Sequence, residues 1–140
     1  MDDYRALENL LFSYAALVDA GDFEGVGALF AEGAFVGSGG TFRGAEVARM
    51  LRDNVIVYED GTPRTKHVTT NIALEVDGDT ASGQAYFTVL QAAPGLPLQT
   101  IVAGRYADRF TRTADGWRFT ERRAAVDLVG DVGHHLRPRP

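Results

Sequence analysis

The chain has 140 residues, of which 45% are hydrophobic and 24% charged, so it is long enough for one hydrophobic core and too short for two. Fourteen Lys and Arg residues against nineteen Asp and Glu residues give a net charge of −5 with no concentrated basic stripe, which argues against a nucleic-acid partner. There is no cysteine, which excludes disulfides and thiolate metal sites.

The N-terminal third predicts three helices and one short strand. The first helix starts after Asp2–Asp3 and ends at Gly21, because apolar residues recur there at steps of three and four. Asp22 is expected to cap a second, shorter helix. Residues 34–38 predict a short strand, followed by a Gly-Gly turn, and residues 45 to about 57 predict the third helix.

From residue 64 the apolar period changes from 3.6 to 2, which predicts four long strands at 64–76, 80–93, 99–113 and 117–129. Tight turns are expected at 77–79 and 114–116, and a looser loop at 94–98. Helices followed by an antiparallel meander predict an α+β fold, in which a curved antiparallel sheet wraps the three helices as a cone. We expect a single domain over residues 1–130 and a flexible Gly- and Pro-rich tail over 131–140.

Such a cone encloses a pocket when the inward side chains near its mouth are small. Candidate small residues are Thr69, Ala85, Ala103, Gly104 and Ala125. The sequence therefore predicts a largely apolar pocket for a small-molecule substrate.

Asp19 and His67 are the candidate catalytic residues. Asp19 ends the first helix, where the helix dipole disfavours a carboxylate, so it needs a compensating partner. His67 lies near the start of the first long strand and could be that partner. Against this, Asp19 could simply bond to its own turn, and a lone histidine in a strand is more often structural than catalytic.

Alternation along this first long strand assigns its side chains to two faces. Thr65, Thr69 and Asn71 share the face of His67, which makes Asn71 a candidate substrate-binding residue. The opposite face would carry an aliphatic row, which would suit sheet-to-sheet dimerisation: Val68, Ile72, Leu74 and Val76.

Three further residues are candidates for substrate binding. Tyr14 is either a core residue or a hydrogen-bond donor to a ligand carbonyl. Arg122 and Arg123 are adjacent on the last strand, so one of them should point inward, toward either an anionic substrate group or a salt-bridge partner at Asp108, Glu121 or Asp127. No histidine cluster has metal-ligand spacing, since His134 and His135 are neighbours in the predicted tail.

Four stretches, taken together in order and spacing, resemble the SnoaL-like branch of the nuclear transport factor 2-like superfamily: 14–36, 42–47, 65–83 and 108–119. Within it the sequence is most similar to scytalone dehydratase and hexachlorocyclohexane dehydrochlorinase. The resemblance places Asp19 and His67 on a catalytic aspartate–histidine dyad and Arg122 near a leaving-group arginine. It places Leu90 or Gln91 where the dehydratase has a second catalytic histidine.

The resemblance implies a cofactor-independent lyase or isomerase, with His67 as base, Asp19 as its orienting partner, and Tyr14 or Arg122 polarising the substrate. One alternative is a non-catalytic ligand-binding or dimerisation module. Another is a polyketide cyclase or epoxide hydrolase, which an inward carboxylate such as Asp127 would favour. We expect no cofactor or metal, and a homo-oligomer, either dimer or trimer. The acidic N-terminus lacks the basic region of a signal peptide and no apolar run is long enough to span a membrane, so we expect a cytoplasmic protein without a membrane partner.

Overall fold

Three helices form in the N-terminal part of the chain, as predicted. In this computed structural model, which describes residues 2–138, they are α1 (Asp3–Asp19), α2 (Phe23–Leu29) and α3 (Ala45–Asn54). Asp22 caps α2 by accepting a hydrogen bond of 2.9 Å from the backbone N–H of Gly25. Gly21 turns the chain between α1 and α2 with a φ of +74°, and a side chain there would collide with the carbonyl oxygen of Gly61.

Six strands form one curved, unclosed sheet in the order β2-β1-β6-β5-β4-β3. Their bounds are β1 (Ala34–Gly37), β2 (Gly40–Arg43), β3 (Thr65–Asp77), β4 (Thr80–Ala93), β5 (Leu96–Thr113) and β6 (Gly116–Val129). The four long strands agree with the predicted ones to within a few residues. The sequence did not predict β2, a strand that forms because residues 40–43 pair back onto β1.

The connection between β4 and β5 is tighter than the expected loose loop. Ala93 pairs with Leu96, so only Pro94 and Gly95 lie between the strands, and Gly95 adopts a φ of +82°. Proline fixes the first turn position and glycine accepts the left-handed second one. The prediction of a loose loop was wrong because it did not weigh this dipeptide as a turn.

A β-bulge in β3 reverses the predicted faces of half the strand. The pairing with β4 slips between Thr70 and Ala73, and Asn71 has a φ of +54°. Beyond the bulge, Ile72 and Leu74 turn inward and pack against the core, as does Val76. The predicted aliphatic outer row was therefore wrong except for Val68, which is exposed, and the expected homo-oligomer stays a prediction without that support.

The core lies between the concave face of the sheet and the helices. It is unusually aromatic on the sheet side, where these residues are buried: Phe87, Tyr106, Phe110, Trp117 and Phe119. The α1 helix crosses β3, which brings the C-terminal end of the helix to the start of that strand. In residues 2–138 no helix is both long and apolar enough to cross a membrane.

The segment after β6 packs against the domain and differs from the flexible tail that was expected. Leu136 forms a β-bridge with Val55, and the carbonyl of His135 accepts a hydrogen bond of 2.8 Å from the backbone N–H of Ile56. The carbonyl of His134 accepts hydrogen bonds from the Tyr58 hydroxyl and from Gln91. Residues 131–137, which we call the C-terminal strap, are thus fixed by tertiary hydrogen bonds, whereas residues 139–140 lie outside the described part of the chain.

Candidate functional site

Asp19 is the last residue of α1, and its carboxylate joins that helix to the start of β3. Its Oδ1 accepts a hydrogen bond of 2.9 Å from the Thr65 hydroxyl, and its Oδ2 accepts one of 2.8 Å from the backbone N–H of His67. These donors compensate a carboxylate at the negative end of a helix dipole. The local-turn interpretation of Asp19 is therefore wrong.

The His67 ring approaches the same carboxylate. Its Nδ1 lies 2.6 Å from Asp19 Oδ1, a short distance that is typical of a charge-assisted hydrogen bond. Because an ionised carboxylate has no proton, Nδ1 must donate, and a neutral ring then leaves Nε2 unprotonated. The two side chains retain 10% and 13% of their accessible surface, so the pair is shielded from bulk water without being sealed off.

The electrostatic surroundings keep Asp19 ionised. Burial alone would raise the pKa of its carboxyl, but the hydrogen bonds and charge of His67, together with the Thr65 hydroxyl, outweigh burial and leave the pKa below its ordinary value. A proton-accepting ring thus lies against a carboxylate that stays negative.

Arg64, the residue directly before β3, has an unusual backbone conformation that sets the direction in which the chain enters the strand. Arg64 has a φ of +57°, a left-handed conformation that is uncommon for a residue with a side chain. The carbonyl of Pro63, just before it, accepts a hydrogen bond of 3.0 Å from the buried side chain of Gln91. Gln91 therefore fixes the entry to β3 and, through His134, the C-terminal strap.

A second pair, an arginine–aspartate salt bridge, is more deeply buried than the dyad. Arg122 is fully buried and donates two hydrogen bonds to Asp108, from Nε at 2.8 Å and from Nη2 at 3.2 Å. Burial lowers the pKa of Arg122, but the charge of Asp108 more than compensates, so the guanidinium stays charged. Its Nη1 is buried and has no hydrogen-bond partner among residues 2–138. Arg122 is thus the inward arginine, held by the salt bridge that the sequence left as one alternative.

Tyr14 packs around this arginine. The guanidinium carbon lies 4.5 Å from the centre of the Tyr14 ring and 3.5 Å from that of Tyr106, which are favourable cation–π distances. Burial raises the pKa of Tyr14 to about 12, so its hydroxyl keeps its proton. Of the two roles that the sequence left open for Tyr14, its buried position agrees with that of a core residue.

Three residues that the sequence suggested do not join the dyad. Arg123 points outward and pairs with Glu121, at 2.9 Å from Nε. Asp127 is exposed and pairs with Arg105, so it is not the inward carboxylate that the cyclase alternative required. Asn71 turns outward at the bulge, and the expectation that it shares the face of His67 was wrong.

Three depressions of the surface lie away from the dyad. One of about 810 Å³ covers the outer face of β3 to β6, where Asn71, Arg105 and Arg123 line it. Two others lie farther along that face and beside α2. Asp19 and His67 line none of these three. The small residue Gly104 does not leave the open space that was expected. The Phe87 ring occupies the position where a Gly104 side chain would stand.

The sequence missed two residues next to the dyad. The ring of His135, from the C-terminal strap, lies 6.5 Å from that of His67, centre to centre. The resemblance places Gln91 near the position of a catalytic histidine, whereas in the structure its side chain donates hydrogen bonds to two backbone carbonyls. The apolar pair Val132 and Leu136 around the histidines could have indicated that this segment packs. In residues 2–138 no group of three or more His, Cys, Asp or Glu side chains is arranged to hold a metal ion.

Comparison with known proteins places the chain in a family. The family model of the SnoaL-like domain matches residues 1–123. The uncharacterised protein Rv2910c of Mycobacterium tuberculosis is 28% identical over 130 residues, which are 87% of this chain and 84% of that protein.

Solved structures share the fold. An NTF2-like protein with a cystatin-like fold from Novosphingobium aromaticivorans has a TM-score of 0.72 and 25% identity, over 89% of this chain and 81% of its own. LinA, an HCH dehydrochlorinase, has a TM-score of 0.70 and 22% identity, over 97% of this chain and 94% of its own. The chain therefore belongs to the SnoaL-like family and has the NTF2-like fold.

Proposed function

We propose that the protein is a cofactor-independent lyase or isomerase that removes a proton from carbon in a small, largely apolar substrate, with His67 as the base and Asp19 as its orienting partner. The observation that carries the proposal is the 2.6 Å hydrogen bond from His67 Nδ1 to Asp19 Oδ1. It orients the ring and leaves the opposite nitrogen free to accept a proton.

The chemistry follows from this arrangement. His67 Nε2 takes the proton, and the carboxylate of Asp19 stabilises the imidazolium that forms. If a leaving group stands on the neighbouring carbon, the electron pair of the broken C–H bond forms a double bond and the leaving group departs with its own pair. If a carbonyl stands there, the pair forms an enolate and reprotonation gives an isomer.

Among the proposed substrate-binding residues, Arg122 retains one donor. Its Nη1 is buried and has no hydrogen-bond partner in the described part of the chain, so a polar substrate group near Tyr14 would satisfy it. Arg123 and Asn71 lie on the outer face of the sheet and are not proposed for this site.

A non-catalytic binding module of the same fold is the second candidate. One specific observation favours it: the dyad lines none of the three depressions described above, and Phe87 and Tyr106 pack against each other in the buried core. In that case Asp19 and His67 would serve only to join α1 to β3.

A generic proton-abstraction assay separates the two candidates. The probes are 5-nitrobenzisoxazole, whose ring opens when its C–H proton is removed, and hexachlorocyclohexane, which releases chloride on elimination. We expect turnover of at least one probe above the buffer rate, and a loss of about 100-fold or more in kcat for His67→Ala and for Asp19→Asn.

The matched control is His134→Phe, which changes a neighbouring histidine of the strap and should keep the wild-type rate. Urea unfolding of each variant checks that the fold is retained. If both dyad variants keep the wild-type rate, or if the wild type accelerates neither probe, the lyase or isomerase proposal is wrong and the binding module is supported.

A further inference from the structure

The C-terminal strap brings a third ionisable residue to the dyad. The backbone N–H groups of Ile56 and Arg137 donate hydrogen bonds of 2.8 Å across the contact between the strap and the end of α3, to the carbonyls of His135 and Asn54. On the other side, Gln91 and Tyr58 bond to the carbonyl of His134. The strap is therefore held at both edges, and His135 is placed by four hydrogen bonds that do not involve its ring.

The His135 ring is buried against the dyad. Only 8% of the residue is exposed, and its plane is tilted by 65° to the His67 ring. The buried Nδ1 atom has no hydrogen-bond partner within the described chain. A buried polar atom without a partner is unfavourable, so its position beside a candidate active site suggests that a ligand atom satisfies it.

The charge state of this ring suits a hydrogen-bonding role. Burial, with the neighbouring His67, lowers the pKa of His135 to about 4, although Asp19 opposes the effect. The ring is then neutral near pH 7, and a neutral imidazole has one N–H donor and one acceptor. It can polarise a substrate atom without competing with His67 for the proton.

We propose that His135 is a second catalytic residue of this site, whose neutral imidazole donates a hydrogen bond to the substrate atom that becomes negative as His67 removes the proton. This rests on the proposed function and adds the residue that binds the leaving group or carbonyl oxygen. For 5-nitrobenzisoxazole, His67 Nε2 takes the carbon-bound proton, the C–H electron pair completes a nitrile, the N–O bond breaks, and the phenolate oxygen keeps that bonding pair. His135 donates to this oxygen and keeps its own proton.

Two substitutions test the role in turnover. His135→Phe preserves ring volume but has no donor, and we expect kcat to fall about 10- to 100-fold with KM changed less than twofold. His135→Gln retains an amide donor and should recover most of that loss, while His134→Phe should match the wild type. The proposal is wrong if His135→Phe keeps the wild-type kcat, or if His135→Gln is as impaired as His135→Phe at equal unfolding free energy.

A binding measurement gives an answer that does not depend on turnover. The chain has three histidines, so their imidazole ¹⁵N signals are readily assigned. Adding the reaction product 2-cyano-4-nitrophenolate should shift the signals of His67 and His135 and leave those of His134 in place. A shift of His67 alone would overturn the role of His135 while leaving the proposed function intact, whereas failure of the proposed function would appear as unchanged rates in the dyad variants.

Discussion

Two acid–base pairs lie inside one cone, and they differ in the partner that the carboxylate holds and in their access to water. Asp19 binds a histidine where the end of α1 meets the start of β3, and both side chains retain about a tenth of their surface. Asp108 binds an arginine at the centre, where the two side chains are 1% and 0% exposed. The first pair contains an imidazole, which can both accept and donate a proton, whereas the second contains a guanidinium, which keeps its charge.

The first pair is suited to proton transfer, whereas the second is suited to holding the core together. A guanidinium held by two hydrogen bonds and three aromatic rings has a fixed charge and a fixed position. An imidazole held through Nδ1 alone keeps a second nitrogen for a substrate. Changing the deep pair should therefore affect stability most, in addition to any loss of the substrate contact proposed for Arg122, whereas changing Asp19 or His67 should affect turnover most.

The largest stability effect is expected at Arg122. Arg122→Met removes the only ion-pair partner that Asp108 has within residues 2–138 and leaves its carboxylate buried, so we expect a loss of about 3–5 kcal/mol in the free energy of unfolding. Urea unfolding at pH 7 measures this loss. A change below about 1 kcal/mol would show that water or a rearranged side chain compensates the carboxylate.

A double variant sharpens the same test. Arg122→Met with Asp108→Leu removes both charges, and the unfolding free energy should recover much of what the single change lost, because no charge remains unpaired in the core. If the double variant is as unstable as the single one, the loss comes from aromatic packing around the guanidinium.

The next effect in size concerns His135 and pH. Its pKa is about 4 in the folded chain, against an ordinary value of 6.5 that applies when the chain is unfolded. Below pH 6.5 the unfolded state binds a proton that the folded state does not, so stability falls as pH drops from 6.5 to 4. The difference of about 2.5 pKa units corresponds to a loss of about 3 kcal/mol across this window.

Comparison of variants isolates this effect. His135→Phe should remove the dependence, while His134→Phe keeps His135 and should retain it. Asp19 contributes little here, because its pKa is held below 3.8 and its stabilising hydrogen bonds persist until lower pH. Unfolding free energies at pH 7, 5.5 and 4 give the slopes, and equal slopes for the wild type and His135→Phe would contradict the assignment.

The sequence predicted the strands better than the faces of their side chains. The period-two pattern and turn residues located the four long strands, because each strand carries many residues that agree. A single inserted residue at Asn71 has no comparable periodic pattern, yet it moves Ile72 and Leu74 to the other face. The faces of the β3 residues after Thr70 therefore depend on a bulge that the local sequence does not specify.

The candidate site was predictable where it rested on family spacing and not where it rested on tertiary contacts. The spacing suggested pairing Asp19 with His67, and the structure has them in hydrogen-bond contact. The Gly- and Pro-rich surroundings of His135 predict a flexible tail. The position of His135 depends on hydrogen bonds to residues about 80 positions earlier, such as Ile56, which composition cannot show.

The smallest effect is expected at a third ion pair, on the outer face of the sheet. Arg105 donates two hydrogen bonds from Nε and Nη2 to Asp127, a geometry as good as that of Arg122 with Asp108, but both side chains are substantially exposed. Water solvates either partner when the other is removed, so Asp127→Asn should leave the urea midpoint within replicate scatter and the probe turnover unchanged. The same bidentate geometry then gives a large effect in the core and none at the surface. A midpoint shift comparable to that of Arg122→Met would mean that the outer face of the sheet is itself buried in solution, as a homo-oligomer would bury it.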